Sequence, residues 1–150
     1  HLFFDEMLRS AVEDERIIAA PHGITVELTR CDAAPLHGDR GSLRQVLLNL
    51  LDNAVKHNQP GGWARIELRT EPANITLVIE NTGLPIPPEL LPRIFDRFVR
   101  SPAASEGCGL GLSITKTVLE APGGTIACSG RAEGGARFTI HLPRSAPNGV

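Results

Sequence analysis

Two groups of residues have the types and spacing to do chemistry. The first is Gly107-Cys108-Gly109-Leu110-Gly111-Leu112, three glycines at alternate positions directly before 113–119, a stretch patterned as a helix. Glycine has no Cβ, so its backbone takes φ > 0 readily and lets another molecule come close. A helix N-terminus adds unpaired N–H groups and the positive end of a dipole. Together they make a seat for a phosphate chain. The same letters also fit a flexible helix entrance with no ligand. The second group is Asn49, Asn53 and Lys56. On a helical wheel of about 100° per residue they share an arc of roughly 60°. Leu43, Val46, Leu47, Leu50, Leu51 and Ala54 fill a broad apolar face beside it. Asn is a poor residue for a helix interior, because its side chain competes for backbone bonds. A carboxamide oxygen is, however, a hard, neutral ligand suited to Mg²⁺, and Lys56 has the charge to meet a phosphate. A solvated polar face with no role is the other reading of this group.

The elements that must position these groups follow from periodicity and punctuation. Residues 4 to about 20 read as a helix stopped by Pro21 and Gly23. Residues 24–29 alternate as a strand, and 31–41 are turn-rich. Ser42 has the chemistry to cap a long helix that runs to about His57 and ends at Asn58-Gln59-Pro60-Gly61-Gly62. Residues 65–69 and 75–80 read as a hairpin around the turn at 72–74. Residues 82–88 are loop, 89–99 a short helix, and 100–107 polar, small and without periodicity. After the glycine run and its helix, 125–129 and 136–142 are two more strands around Gly134-Gly135. The order predicts an α/β (α+β) two-layer sandwich: a mixed, mostly antiparallel sheet of about five strands with three helices on one face.

The 150 residues are the length of one domain. An apolar fraction of 41% and a charged fraction of 21% are ordinary for a globular protein in water. A net charge of −2 leaves no electrostatic footprint for nucleic acid. No stretch has the length and apolarity of a membrane-crossing helix, and none has a signal-peptide layout. The three cysteines, Cys31, Cys108 and Cys128, lack metal-ligand spacing and suit a reducing compartment. A start at His1 without methionine suggests a piece of a longer protein.

The polar helix and its neighbours spell a known pattern. Residues 43–57, Leu-Arg-Gln-Val-Leu-Leu-Asn-Leu-Leu-Asp-Asn-Ala-Val-Lys-His, followed by Pro60-Gly61-Gly62, resemble the N box of sensor histidine kinases. Pro92-Arg93-Ile94-Phe95-Asp96-Arg97-Phe98-Val99-Arg100 resembles their F box. Residues 107–114 resemble their second glycine box, and 120–126 with 134–143 resemble their closing strands. The likeness runs in order from about residue 39 to 143. It implies the catalytic, ATP-binding domain of such a kinase, with ATP between the N-box helix and a lid at 100–107. By position, Asn53 would hold Mg²⁺, Asn49 would orient water or metal, and Lys56 would reach the phosphates. His57 would lie beside the adenine ring. Arg100 would contact phosphate from the start of the lid. Gly107, Gly109 and Gly111 would offer backbone N–H groups, with Leu110 and Leu112 packed beneath them.

The resemblance has two departures. The first glycine box of the family runs Asp-x-Gly-x-Gly, whereas this chain has Asn81-Thr82-Gly83-Leu84-Pro85. Asn81 can still accept a bond from the adenine amino group, without the strength of a charged acceptor, a difference of about 1 kcal/mol. Gly83 keeps the first glycine. Pro85 fixes φ and removes a donor, so the loop must take another path. Glu80, one residue earlier on a strand, points the other way. The second departure is an absence. None of His1, His22, His37, His57 and His141 has the phosphoacceptor context of the family. The implied partners are therefore a phosphoacceptor-histidine dimerisation domain of the same protein and a response regulator, with no nucleic acid and no direct membrane contact. The fragment would be monomeric and cytoplasmic, the full-length protein a homodimer. A degenerate nucleotide- or partner-binding domain, a serine kinase of the anti-sigma-factor type and a plain interaction domain are the alternatives.

Overall fold

The structure, a computed structural model, describes residues 2–96 and 108–144, with backbone alone at 108–111. Its centre is a five-stranded sheet in the order β2-β4-β5-β7-β6, formed by β2 (Thr25–Cys31), β4 (Trp63–Thr70), β5 (Asn74–Asn81), β6 (Thr125–Gly130) and β7 (Ala136–Pro143). β2 runs parallel to β4 and every other pairing is antiparallel. The parallel pair requires a crossover, which α2 (Arg40–Lys56) supplies. A short ribbon joins β1 (Leu2–Phe3) to β3 (Pro35–Leu36), so the turn-rich stretch contains a strand. The helices α1 (Phe4–Ala19), α2 and α3 (Cys108–Glu120) complete the sandwich.

Alternation along the strands builds the two layers. Ala64, Ile66 and Leu68 of β4, Ile75, Leu77 and Ile79 of β5, and Phe138, Ile140 and Leu142 of β7 are buried with the helices. Leu8 and Val12 of α1, Leu47, Leu50 and Leu51 of α2 and Leu119 of α3 meet them in one core. The opposite sheet face carries charge instead. Glu80 there binds Arg131 at 2.8 Å and Arg137 at 3.3 Å.

Three local expectations are corrected. α2 starts earlier than the Ser42 cap implies. Asp39 is the N-cap, and its Oδ2 accepts from the Ser42 N–H at 2.8 Å and the Ser42 hydroxyl at 2.7 Å. A carboxylate at the dipole's positive end is a strong cap. The short helix at 89–99 is, in its described part, one 3₁₀ turn at Leu91–Arg93. Bonds from Leu90 to Pro87 and from Arg93 to Leu90 give it three-residue spacing. Pro92 would lie in the interior of an α-helix from 89, where it has no N–H to donate to the ladder and its ring crowds the preceding turn. Finally, the glycine run does not precede α3. Gly109 and Gly111 lie within its first turns.

Candidate functional site

α2 carries most of the site and is flanked by α1 and α3. Asn49 spans to α3: its Nδ2 donates to the buried Thr115 hydroxyl at 3.4 Å, and its Oδ1 accepts from Gln45 at 2.9 Å. Asn53, one turn on, is half-buried, and its carboxamide makes no hydrogen bond among the described residues. Lys56 reaches toward Asp52, with Nζ 3.0 Å from Oδ2. His57 is the C-cap, and its N–H donates to the Asn53 carbonyl at 3.1 Å. Its imidazole is half-buried. Burial, with help from Lys56 and against Asp52, lowers its pKa below the usual 6.5. The ring is therefore neutral at neutral pH, flat and suited to stacking.

The end of β5 meets the end of α2. Asn81 lies on the helix-facing side of the sheet and is 3% exposed. Its Nδ2 donates to the Thr82 carbonyl at 2.7 Å, while its Oδ1 is buried with no partner among the described residues. An unpaired buried acceptor costs about 1–3 kcal/mol, and a hydrogen-bond donor reaching this oxygen would recover that cost. The Thr82 hydroxyl donates to Asn58 Oδ1 at 2.7 Å and accepts from the Trp63 N–H at 2.8 Å. Asn58 Nδ2 in turn donates to the carbonyls of Ala54 and Trp63, at 3.1 and 2.9 Å.

Two glycines allow this close packing. Gly83, at φ +154°, lies against the His57 carbonyl, where any Cβ would collide. Gly135, at φ +99°, lies equally close to the Asn81 carbonyl. Gly135 also donates to the Leu84 carbonyl at 3.2 Å and pairs with Pro85. That pairing is the altered path Pro85 requires. The loop 81–85 is thus clamped between the end of α2 and the turn at 134–135. Glu80, as alternation predicts, faces the other way and takes no part.

α3 presents its N-terminal end at Cys108. The first N–H groups of a helix have no partner within it, and those of Gly109 and Gly111 are among them. Gly111 is one turn along α3 from Thr115, as Asn53 is one turn along α2 from Asn49. Each step is about 6 Å along its axis. Leu112 packs partly buried against the core. Arg100 and Gly107 lie outside the described residues, as does the Leu110 side chain.

A family model described as histidine kinase-, DNA gyrase B- and HSP90-like ATPase matches residues 38–146. The chain belongs to this ATPase family. Sensor histidine kinase CusS of Escherichia coli O157:H7 is 38% identical over 130 residues, which are 84% of this chain and 27% of CusS. The chain thus spans about a quarter of that relative's length. The solved structure of mycobacterial sensor histidine kinase MprB superposes with a TM-score of 0.85 at 32% identity, covering 95% of this chain and 97% of that one. Full-length ShkA, solved in complex with AMPPNP, gives a TM-score of 0.81 at 28% identity over 95% of this chain and 30% of its own. Within the ATPase family, the domain is of the sensor histidine kinase type.

An ATPase of this kind needs a base acceptor, a stacking surface, metal and phosphate ligands and helix-end amides. Asn81, His57, Asn53 and the first turn of α3 have the chemistry for those tasks. Asn49, Asn53, Lys56 and His57 share one helix, and Asn81 and Gly83 adjoin its C-terminal end. Sequence reasoning missed the tie through Asn58 and Thr82. Asn58 reads locally as a helix stop, and only the tertiary contact with β4 and the loop after β5 gives it a task.

Proposed function

We propose that this domain binds Mg²⁺-ATP and supplies its γ-phosphoryl group to a histidine on a separate dimerisation domain, from which a response-regulator aspartate receives it. The observation that carries the reading is the buried Oδ1 of Asn81, which has no partner among the described residues. It lies at the end of β5, and the next two residues, Thr82 and Gly83, pack on Asn58 and on the His57 carbonyl at the C-terminal end of α2. Oδ1 accepts from the adenine amino group, and His57 stacks against the base. The Asn53 oxygen binds Mg²⁺, and Asn49, anchored on Thr115, orients a water or the metal. Mg²⁺, when bound, neutralises charge on the phosphate oxygens. Lys56 swings from Asp52 to the phosphates, a low-cost move because an exposed ion pair is worth about 0–1 kcal/mol. The amides of Gly107, Gly109 and Gly111 hold the remaining phosphate charge, joined by Arg100 from the lid.

Transfer is then mainly positioning. An imidazole nitrogen of the partner domain attacks the γ-phosphorus. The bond to the β,γ-bridging oxygen breaks, and ADP leaves. The parent protein acts as a homodimer with this domain in the cytoplasm. No helix among the described residues is long and apolar enough to cross a membrane. The test is calorimetric titration of the domain with AMPPNP, with Mg²⁺ and with EDTA. Saturable binding that Mg²⁺ strengthens supports the proposal, and no binding in either condition refutes it.

A further inference from the structure

We propose that Thr82 and Asn58 are positioning residues for base selection, fixing the Asn81 carboxamide so that its oxygen alone faces the bound base. This rests on the nucleotide-binding reading above. A carboxamide differs from a carboxylate in that one end donates and the other accepts. Left free to turn, it pairs equally well with an amino group or a carbonyl and discriminates poorly between them.

Here the amide is not free. Its Nδ2 is spent on the Thr82 carbonyl at 2.7 Å. That peptide is held because the Thr82 hydroxyl is bonded to Asn58 at 2.7 Å and to the Trp63 N–H at 2.8 Å. Asn58 is fastened to the end of α2 through the Ala54 carbonyl and to β4 through the Trp63 carbonyl. Gly135 packs on the Asn81 backbone carbonyl and holds the main chain of the loop on its other side. Among the described residues, the buried Oδ1 is the polar atom of the Asn81 side chain left without a partner. An acceptor at that point pairs with a 6-amino purine and opposes a 6-oxo purine. An asparagine thereby reads the base in one sense, as a carboxylate would.

The experiment compares ATP with inosine triphosphate, which carries a 6-oxo group in place of the 6-amino group. Calorimetry with Mg²⁺ gives both dissociation constants for the unchanged domain and for Thr82→Val, Thr82→Ser and Asn58→Ala, with melting temperatures to show which variants fold. The unchanged domain prefers ATP by tenfold or more, roughly the cost of opposing two acceptors. Thr82→Val and Asn58→Ala reduce that preference about threefold or more, and Thr82→Ser, which keeps the hydroxyl, restores it. In the nucleotide-free protein, the Asn81 side-chain amide protons exchange slowly with solvent by NMR. Fast exchange there overturns the inference even if the variants fail to fold. It is equally overturned if folded Thr82→Val and Asn58→Ala keep the full preference. If the unchanged domain binds neither nucleotide, the nucleotide-binding reading itself falls.

Discussion

Asn53 and Asn49 look alike in the sequence and differ in the structure. Asn49 is committed at both ends of its carboxamide, to Gln45 and to Thr115. Asn53 has no such bonds among the described residues. The free carboxamide is the better metal ligand, because binding costs it no internal bond. Asn53→Ala is therefore expected to leave AMPPNP affinity in EDTA nearly unchanged and to abolish the increase that Mg²⁺ gives. Calorimetry in the two conditions checks this. Asn49→Ala removes the link between α2 and α3 and is expected to lower the melting temperature as well as the affinity. The letters alone supported the pairing of a carboxamide with a metal but could not divide the labour. The division depends on Thr115, 66 residues away along the chain.

At the scale of elements, α3 and α1 make separable predictions. Gly111 lies inside a helix, where glycine is less favourable than alanine by about 1 kcal/mol. Gly111→Ala should therefore stabilise α3 by up to about that amount, read as a higher melting temperature. If Gly111 serves phosphate approach, the same variant should bind AMPPNP more weakly. A rise in stability with unchanged affinity would remove the glycine run from the site. α1 holds Glu15, 2% exposed, with Oε1 lacking a partner among the described residues. Burial pushes its pKa up to about 7, Asp52 and Asp14 add to the rise, and Lys56 opposes it. The folded state therefore holds a proton that the unfolded chain, with the ordinary value of 4.5, releases. Stability falls as pH rises from 4.5 through 7, by up to about 3 kcal/mol. Glu15→Leu removes that loss. Its gain over the unchanged domain in urea unfolding should widen between pH 5 and pH 8. A gain of equal size at both pH values would contradict the assignment.

Element boundaries show why some of this was legible and some was not. The N-box helix and all five strands of the main sheet are legible in the sequence because alternating or helical burial writes itself into the order of apolar residues. The Asp39 cap was missed because two good capping residues stand three apart, and only the geometry selects between them. The start of α3 was placed late because glycines read as loop. Packing of Leu112, Thr115 and Leu119 on the core overrides that local preference.

On the scale of the whole molecule, the sheet forms the back layer, α3 packs along α2 and the loop after β5 packs on the C-terminal end of α2, and the proposed site draws on all three. The histidine that accepts phosphate has no candidate in this chain by context. The domain incubated with γ-labelled ATP is therefore expected to retain no label. Label should appear when a phosphoacceptor helical domain from the same protein is added. Stable labelling of the domain alone would contradict that division.

The most direct measurement is a backbone and side-chain amide NMR titration of the domain with AMPPNP and Mg²⁺. The account predicts that signals of Asn49, Asn53, His57, Asn81, Gly109 and Gly111 shift together with a single saturating curve, while Arg65, Thr76 and His141 on the far sheet face stay still. Shifts confined to one of those groups, or spread over the opposite face, would show that α2, α3 and the loop after β5 do not form one nucleotide cleft.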